Sequence, residues 1–404
     1  MSEQKVFLEK VHIKNFLSLR DVELPLKPLT VLVGPNASGK SNIWNALRLL
    51  NKMIKEEELP PVKFIRDNLW AGEANQITFQ LQAKVEEIPA LYELKLKADA
   101  NNPFDAEELS VGSVKVISIQ NGQGEVQDED GKNRTPYKSN KLALKSAGDY
   151  GNKPITSALT EFIKNWGFYD FRPEYVRNHL ETFPFIIEKL RESPKLDDGS
   201  KLPALLSYWH KNNPDRFQSV SESLAATTNL RMDQRSIDGD TLLCLSEGYE
   251  KPIPLKRASD GTLRLVAYYI LLNEPELPPL IAIEEPERNL HPGALADIAN
   301  VLEQISEHSQ VIITTHSSQL LDAFNSENLS DSLGVLLLRK VPGRGTEVIN
   351  LDDIRGDRVA LDGWITDFGI GSAIFDSELL QDLMEAPGRN NSLRELGTVL
   401  AKFQ

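Results

Sequence analysis

The chain carries one cysteine, Cys244, in 404 residues. A single thiol excludes an internal disulfide and any cysteine-built metal site. No apolar run reaches the ~18 residues that a membrane-crossing helix needs. The opening stretch MSEQKVFLEKVHIKNF lacks the apolar block of a secretion signal. No heptad pattern persists over several turns, which argues against a long coiled-coil arm, and no internal repeat is visible. Acidic residues outnumber basic ones, 59 to 45. The formal net charge is −14, which disfavours broad non-specific nucleic-acid binding while leaving room for a local basic groove. These absences predict a cytoplasmic protein with no membrane segment. What remains is ordinary for a globular chain, with 40% hydrophobic and 26% charged residues. Such a length buries a large core and divides into about two or three lobes.

Two short segments carry most of the chemical information. Residues 34–41 read GPNASGKS and fit G-x-x-x-x-G-K-[ST], the loop whose backbone N–H groups cradle the phosphates of ATP or GTP. The apolar run Leu29–Val33 precedes it. A helical pattern at Ile43, Leu47, Leu50 and Ile54 follows it. The candidate nucleotide residues are Gly34, Pro35, Asn36, Ala37, Ser38, Gly39, Lys40, Ser41 and Asn42. Gly34 and Gly39 are expected because a Cβ would strike phosphate. Lys40 would reach the β- and γ-phosphates, and the Ser41 hydroxyl would hold Mg2+. The second segment, LIAIEEPERNLHP at 280–292, places Glu284 and Glu285 at the end of an apolar strand. Ligands bind at that end of strands in open α/β sheets.

The rest of the chain falls into blocks. Residues 5–33 predict two strands, Lys5–Ile13 and Asp21–Val33, the latter interrupted by Pro25 and Pro28. Residues 76–97 alternate, with Ile77, Phe79, Leu81, Ala83 and Val85 on one face and a return strand after Pro89. Residues 111–120 add a further strand to this antiparallel group. Residues 121–154 are polar and predict a long surface loop. Residues 155–225 predict helices, with turns at Ser193-Pro194, Asp198-Gly199 and Asn213-Pro214. The predictions continue with a buried helix over 263–272, short buried strands at 280–283 and 311–315, and a helix from about 293 to 308. Trp166, Phe168, Tyr169 and Phe171, near Arg172 and Arg177, suit either a helical core or a base-stacking platform. His12, His179, His210, His291 and His308 have no metal-ligand spacing.

The phosphate loop alone does not choose among GTPases, kinases and transport ATPases. The N-K pairs run on as NKMI, NKLA and NKPI, so the guanine motif N-K-x-D is absent. Two further elements decide. Ser259 and Gly261 lie in ASDGTLR at the start of a buried helix, a second phosphate-binding device. His316, in TTHS, stands at a strand end where it could donate to a γ-phosphate.

In this order the four motifs resemble the ATP-binding-cassette ATPases, closest to the soluble branch of RecF, the structural-maintenance-of-chromosomes proteins and the OLD-family ATPases. The opening VHIKNFLSLRDVELPL is similar to that branch's first two strands. The resemblance implies an α/β fold: a phosphate-loop ATPase head with a mixed sheet, an antiparallel β subdomain and an inserted helical lobe. It implies an ATPase core at 1–100 and 255–345, an inserted loop and helical lobe at 101–254, and a C-terminal extension at 346–404. It makes ATP and Mg2+ the cofactors, with Ser41 and Glu284 as metal residues. Glu285 would polarise the attacking water, and His316 would be the switch histidine. Ser259 and Gly261 would contact the γ-phosphate held by a second protomer. Asn289–Pro292 would cross the interface of a head-to-tail homodimer. The signature reads SDGT rather than SGGQ, and Glu284 stands where the family has aspartate. The family's glutamine loop has no clear match among Gln76, Gln80 and Gln82. The resulting expectation is an ATPase switch in bacterial genome defence with a separate nuclease or toxin partner. A RecF-like repair ATPase binding duplex DNA is the alternative, and a transport subunit fits poorly.

Overall fold

The computed structural model describes residues 5–56, 59–71, 74–98, 102–139, 141–147, 151–180, 196, 199–237, 240–248, 251–355 and 358–377. The expected turn at Ser193-Pro194, and Asp198 of the next, lie outside these residues.

The N-terminal block forms three strands where two were expected. Strands β1 (Val6–Phe16) and β2 (Leu19–Pro25) pair as a hairpin, while β3 (Leu29–Val33) joins a different sheet. Proline has no N–H to give to a ladder, so Pro25 and Pro28 end one strand and release the next. After α1 (Lys40–Lys55) and α2 (Val62–Asp67), the antiparallel sheet grows by β4 (Gln76–Val85), β5 (Ile88–Lys97), β6 (Phe104–Val111) and β7 (Val114–Gln120). It does not stop there. The polar stretch read as a loop supplies β8 (Gln123–Val126), β9 (Thr135–Lys138) and α3 (Ala143–Ala147). Asn121 and Gly122 take φ 50° and 75°, the left-handed pair that a two-residue hairpin turn demands and that Asn-Gly favours. The sheet order is β2-β1-β4-β5-β6-β7-β8-β9, and it continues past residue 100, the edge expected for the inserted lobe.

Next come α4 (Pro154–Lys164), the short strand β10 (Gly167–Tyr169), α5 (Pro173–Leu180), α6 (Leu202–Asn212) and α7 (Pro214–Thr228). A small sheet of β11 (Arg231–Ile237), β12 (Asp240–Ser246) and β13 (Ile253–Pro254) follows. The chain then builds α8 (Asp260–Leu272), β14 (Leu280–Glu284), α9 (Leu295–Ser306), β15 (Gln310–Thr315), α10 (Ser318–Ala323), β16 (Leu333–Val341) and β17 (Gly345–Asn350). The second large sheet runs β10-β14-β15-β3-β16-β17, parallel except for β17. Its central strands β3, β14 and β15 are buried along almost their whole length because both faces are covered. Leu29, Val31, Val33, Ile281, Ile283, Val311 and Ile313 face a core shared with α8 and α9. Leu32, Leu280, Ile312 and Leu336 face another, where Ile43, Leu47, Leu50 and Ile54 of α1 meet the antiparallel sheet. Each such Leu or Ile contributes roughly 1.5–3 kcal/mol by burial. Helix α1 is thus held between the two large sheets, with its first turn at the parallel strands' ends. Trp166, Tyr169 and Phe171 are buried, and Trp166 packs edge-on against Phe162 at 5.9 Å. Most of the aromatic group is core. No helix among the described residues is long and apolar enough to cross a membrane.

One buried acid ties the antiparallel sheet to the segment that follows it. Glu107 on β6 is fully buried. It accepts from the N–H groups of Ala143 (2.6 Å) and Leu144 (2.8 Å) and from the Tyr92 hydroxyl (3.1 Å). Burial outweighs these donors and pushes its carboxyl up to about 7 from 4.5. The folded state therefore holds the proton more tightly than the unfolded chain. Stability from this group is full below about pH 4.5 and is lost as pH rises through about 7. With one unit worth 1.4 kcal/mol, the loss is roughly 3 kcal/mol. Urea denaturation at pH 5 and pH 8 should show Glu107→Gln gaining on the wild-type chain at the higher pH. An equal gap at both values would mean that Glu107 is ionised throughout.

Candidate functional site

The phosphate-loop segment leaves β3 at Val33 and enters α1 at Lys40. Gly39, the residue before the helix, has φ 113°, a conformation open to glycine. The structure adds a second demand for the two glycines. A Cβ on Gly34 would lie 2.3 Å from the Leu338 carbonyl oxygen of β16, and one on Gly39 would lie 2.2 Å from Thr346 Oγ1 of β17. Protein packing already requires them, before any phosphate. Thr346 Oγ1 also donates to the Ser38 carbonyl at 2.9 Å, so β17 clamps the loop. Pro35, Asn36 and Ala37 are exposed. Asn42 turns its side chain to Ser18 Oγ at 2.7 Å.

Lys40 is 7% exposed, and its Nζ donates to the carbonyls of Gly34 (2.6 Å) and Pro35 (3.2 Å). Burial lowers its pKa, while Glu285, Glu287 and Glu284 hold it up. Two backbone carbonyls are weak partners for a buried ammonium. A polyphosphate is a far better one.

Parallel pairing brings the strand ends together. Glu284 of β14 is level with Thr314 of β15, and Thr315 is level with Val33 of β3. Ser41 lies near enough to the Glu284 carboxyl to oppose the rise of its pKa, so the two expected metal residues are neighbours despite glutamate's extra methylene. Burial raises the Glu284 pKa; Ser41 opposes the rise and nearby Asp170 and Glu285 add to it. Among the described residues no group of three or more His, Cys, Asp or Glu forms a metal cage. A hydroxyl–carboxylate pair beside a phosphate cradle suits Mg2+, which keeps waters and takes substrate oxygens.

Glu285 takes φ 44°, a strained turn for a non-glycine residue. Its N–H is fixed by the Thr314 carbonyl at 3.0 Å and the Thr314 hydroxyl at 3.2 Å. His316 Nδ1 lies 3.4 Å from Glu285 Oε1 and 3.7 Å from Glu287 Oε1. Glu287 joins this group without having stood out in the sequence pattern. It is mostly buried, accepts from Thr315 Oγ1 at 2.7 Å, and has its pKa raised by burial. Nor did Asp170 stand out, which follows β10 and acts electrostatically on Glu284. The signal was present: Gly-Phe-Tyr-Asp repeats in miniature the apolar-run-then-acid pattern of 280–284.

Among the described residues the Ser259 hydroxyl makes no hydrogen bond to these groups. Ser259 is exposed and caps α8, accepting from the Thr262 N–H at 3.1 Å. Among the described residues its hydroxyl bonds only Thr262. A Cβ on Gly261 would lie 2.7 Å from the Asn289 carbonyl oxygen. The signature turn therefore packs on the 285–292 loop, which exposes Asn289, His291 and Pro292. Gln76 bonds Asp105, and Gln80 bonds Glu93 and His12, both within the antiparallel sheet. Neither is drawn to the site.

Residues 29–322 match the protein family described as "AAA domain, putative AbiEii toxin, Type IV TA system". The chain is 25% identical over 361 residues to the Old nuclease of Escherichia phage P2, covering 80% of this chain and 58% of the nuclease. It thus spans little more than half of that relative's length. Among solved structures it is similar to the Smc head domain with an extended coiled coil, bound to the C-terminal domain of ScpA from Pyrococcus furiosus. That match has a TM-score of 0.51 at 12% identity, over 88% of this chain and 99% of the other. A second Smc head, bound to the C-winged-helix domain of ScpA, gives 0.50 at 12% identity over 87% and 99%. At this identity the likeness is one of fold.

Removing the Lys40 ammonium strands the phosphates in a partly dry cavity, where loss of one charged partner costs about 3–5 kcal/mol. Lys40→Ala should weaken ATP binding by roughly 10²–10³-fold, read by titration with a fluorescent ATP analogue. Affinity within a few-fold of wild type would remove Lys40 from the phosphate site.

Proposed function

This chain belongs to the AAA-domain family that spans its residues 29–322, and from that premise we propose that it is an ABC-type ATPase of the RecF/SMC/OLD-like branch, a switch whose ATP-bound form is a head-to-tail dimer. The observation that carries this reading is that Ser259 is exposed and, among the described residues, its hydroxyl bonds only Thr262 and no residue of the Lys40 site. Lys40, Ser41, Glu284, Glu285 and His316 gather at the parallel strands' ends. Ser259 and Asn289 are exposed, with Gly261 half-buried between them, and form another surface. A helix N-terminus and serine hydroxyl facing solvent suit the γ-phosphate of a second protomer.

In this scheme the loop from Gly34 to Ser41 wraps the phosphates, and Lys40 exchanges its backbone partners for phosphate oxygens. Ser41 and Glu284 would hold Mg2+, which neutralises phosphate charge when bound. Glu285 orients a water toward the γ-phosphorus and receives its proton as the new P–O bond forms and the bond to the β-phosphate bridge breaks. His316 donates to the γ-phosphate. Loss of that bridging group releases the second protomer's Ser259 and reopens the dimer.

Glu285→Gln should retain ATP binding and slow hydrolysis by about 10²–10⁴-fold, the scale of a lost general base. It should also accumulate the closed dimer in ATP, doubling the mass by light scattering. Unchanged turnover would move the base to another residue, and slowed turnover without dimer would sink the two-protomer site.

The output is proposed to be genome defence through a separate effector chain. The family description names a toxin of a toxin–antitoxin system, and the relative is a phage-encoded nuclease. Both fit a conflict between phage and host. Bacteria carrying the chain with its neighbouring genes should plate phage less efficiently than the same cells with Glu285→Gln. Equal plating across a broad phage panel would count against defence and leave the ATPase assignment standing.

A further inference from the structure

Three arginines outside the phosphate loop surround one cavity. Arg172 follows β10, Arg264 lies on α8, and Arg288 lies in the loop after β14. With Pro173, Glu174 and Asn289 they line a polar space of about 300 Å3. No lining residue belongs to the phosphate loop. Arg264 is 3% exposed, and its Nε and Nη1 meet no hydrogen-bond acceptor among the described residues. A buried guanidinium with unanswered donors is costly unless a ligand or water completes it. Arg172 is fixed at the rim by Asp170, 2.6 Å from its Nε, and stacks over the Tyr175 ring at 5.5 Å. Arg288 is exposed. Among the described residues Glu174 is the only carboxylate in the lining, against three guanidiniums.

We propose that this cavity is an anion site separate from the phosphate loop, taking a phosphate-class oxyanion. A cation would add to the guanidinium charge, and an apolar ligand would leave the Arg264 donors unpaired. A tetrahedral oxyanion offers several acceptors to the planar forks. The volume holds one phosphate with a few waters of about 30 Å3 each. Two sources present this chemistry: free inorganic phosphate and the phosphodiester of a nucleic-acid backbone. The proposal stands on the arginines and does not depend on the two-protomer reading.

Inorganic phosphate titrated by calorimetry into Lys40→Ala protein tests it, because the phosphate loop there has lost its cation. Saturable binding is expected. Adding Arg288→Gln, an exposed change that spares the fold, should weaken it at least ten-fold. Phosphate should raise the melting temperature of Lys40→Ala protein, and Arg264→Gln in that background should abolish the rise. No saturable phosphate binding, or binding indifferent to both arginine changes, overturns the site. A short DNA duplex then separates the sources. Arg288-dependent binding displaced by phosphate assigns the site to backbone phosphate, and failure of the duplex to bind assigns it to the free anion.

Discussion

The close approach of the phosphate-loop backbone to β16 and β17 is the constraint on which the rest depends. Gly34 lies against the Leu338 carbonyl, and Gly39 against Thr346. Neither approach leaves room for a Cβ. The contact fixes where α1 begins and so where Lys40 and Ser41 stand. Helix α1 is then locked between the two sheets by Ile43, Leu47, Leu50 and Ile54. A loop that must present several N–H groups to one ligand gains from such preorganisation, because the entropy of ordering it is already lost on folding.

The second organising fact is the concentration of negative charge at one end of the parallel sheet. Glu284, Glu285 and Glu287 stand close enough to hold up the pKa of Lys40, and Asp170 acts on Glu284. Such carboxylates repel unless cations intervene. Lys40 supplies one positive charge, Arg172 eases Glu284, and the proposed Mg2+ would supply more. This arrangement couples acid positions to what occupies the site. In the proposed switch, nucleotide and metal arrive together, and the γ-phosphate's departure disturbs both Glu285 and His316, which lie 3.4 Å apart.

The signature turn shows how one helix start serves two ends. Ser259 caps α8 through the Thr262 N–H while remaining exposed. Gly261 lets the turn press on Asn289, so the turn and the 285–292 loop form one surface. In the proposed dimer that contact would carry the state of Glu285 to the face a partner meets.

Local pattern determined much of this protein. The loop GPNASGKS, with an apolar run before it and a helical period after it, made a nucleotide fold readable, because strand, turn and helix chemistry there is contiguous in the chain. Glu284, Glu285 and His316 were legible for the same reason, each ending an apolar strand. Tertiary structure decided what depended on distant partners. The packing demand for Gly34 and Gly39 comes from strands some 300 residues later, which no local motif reveals. The polar stretch after residue 120 became strands because an existing sheet edge offered it hydrogen bonds, and the one local cue was Asn121-Gly122. Asp170 and Glu287 acquired their settings only when β10 aligned with β14 and the 285–292 loop folded against Thr315. The arginine cavity was invisible in sequence, since its three guanidiniums come from separate elements and share nothing but their place in the fold.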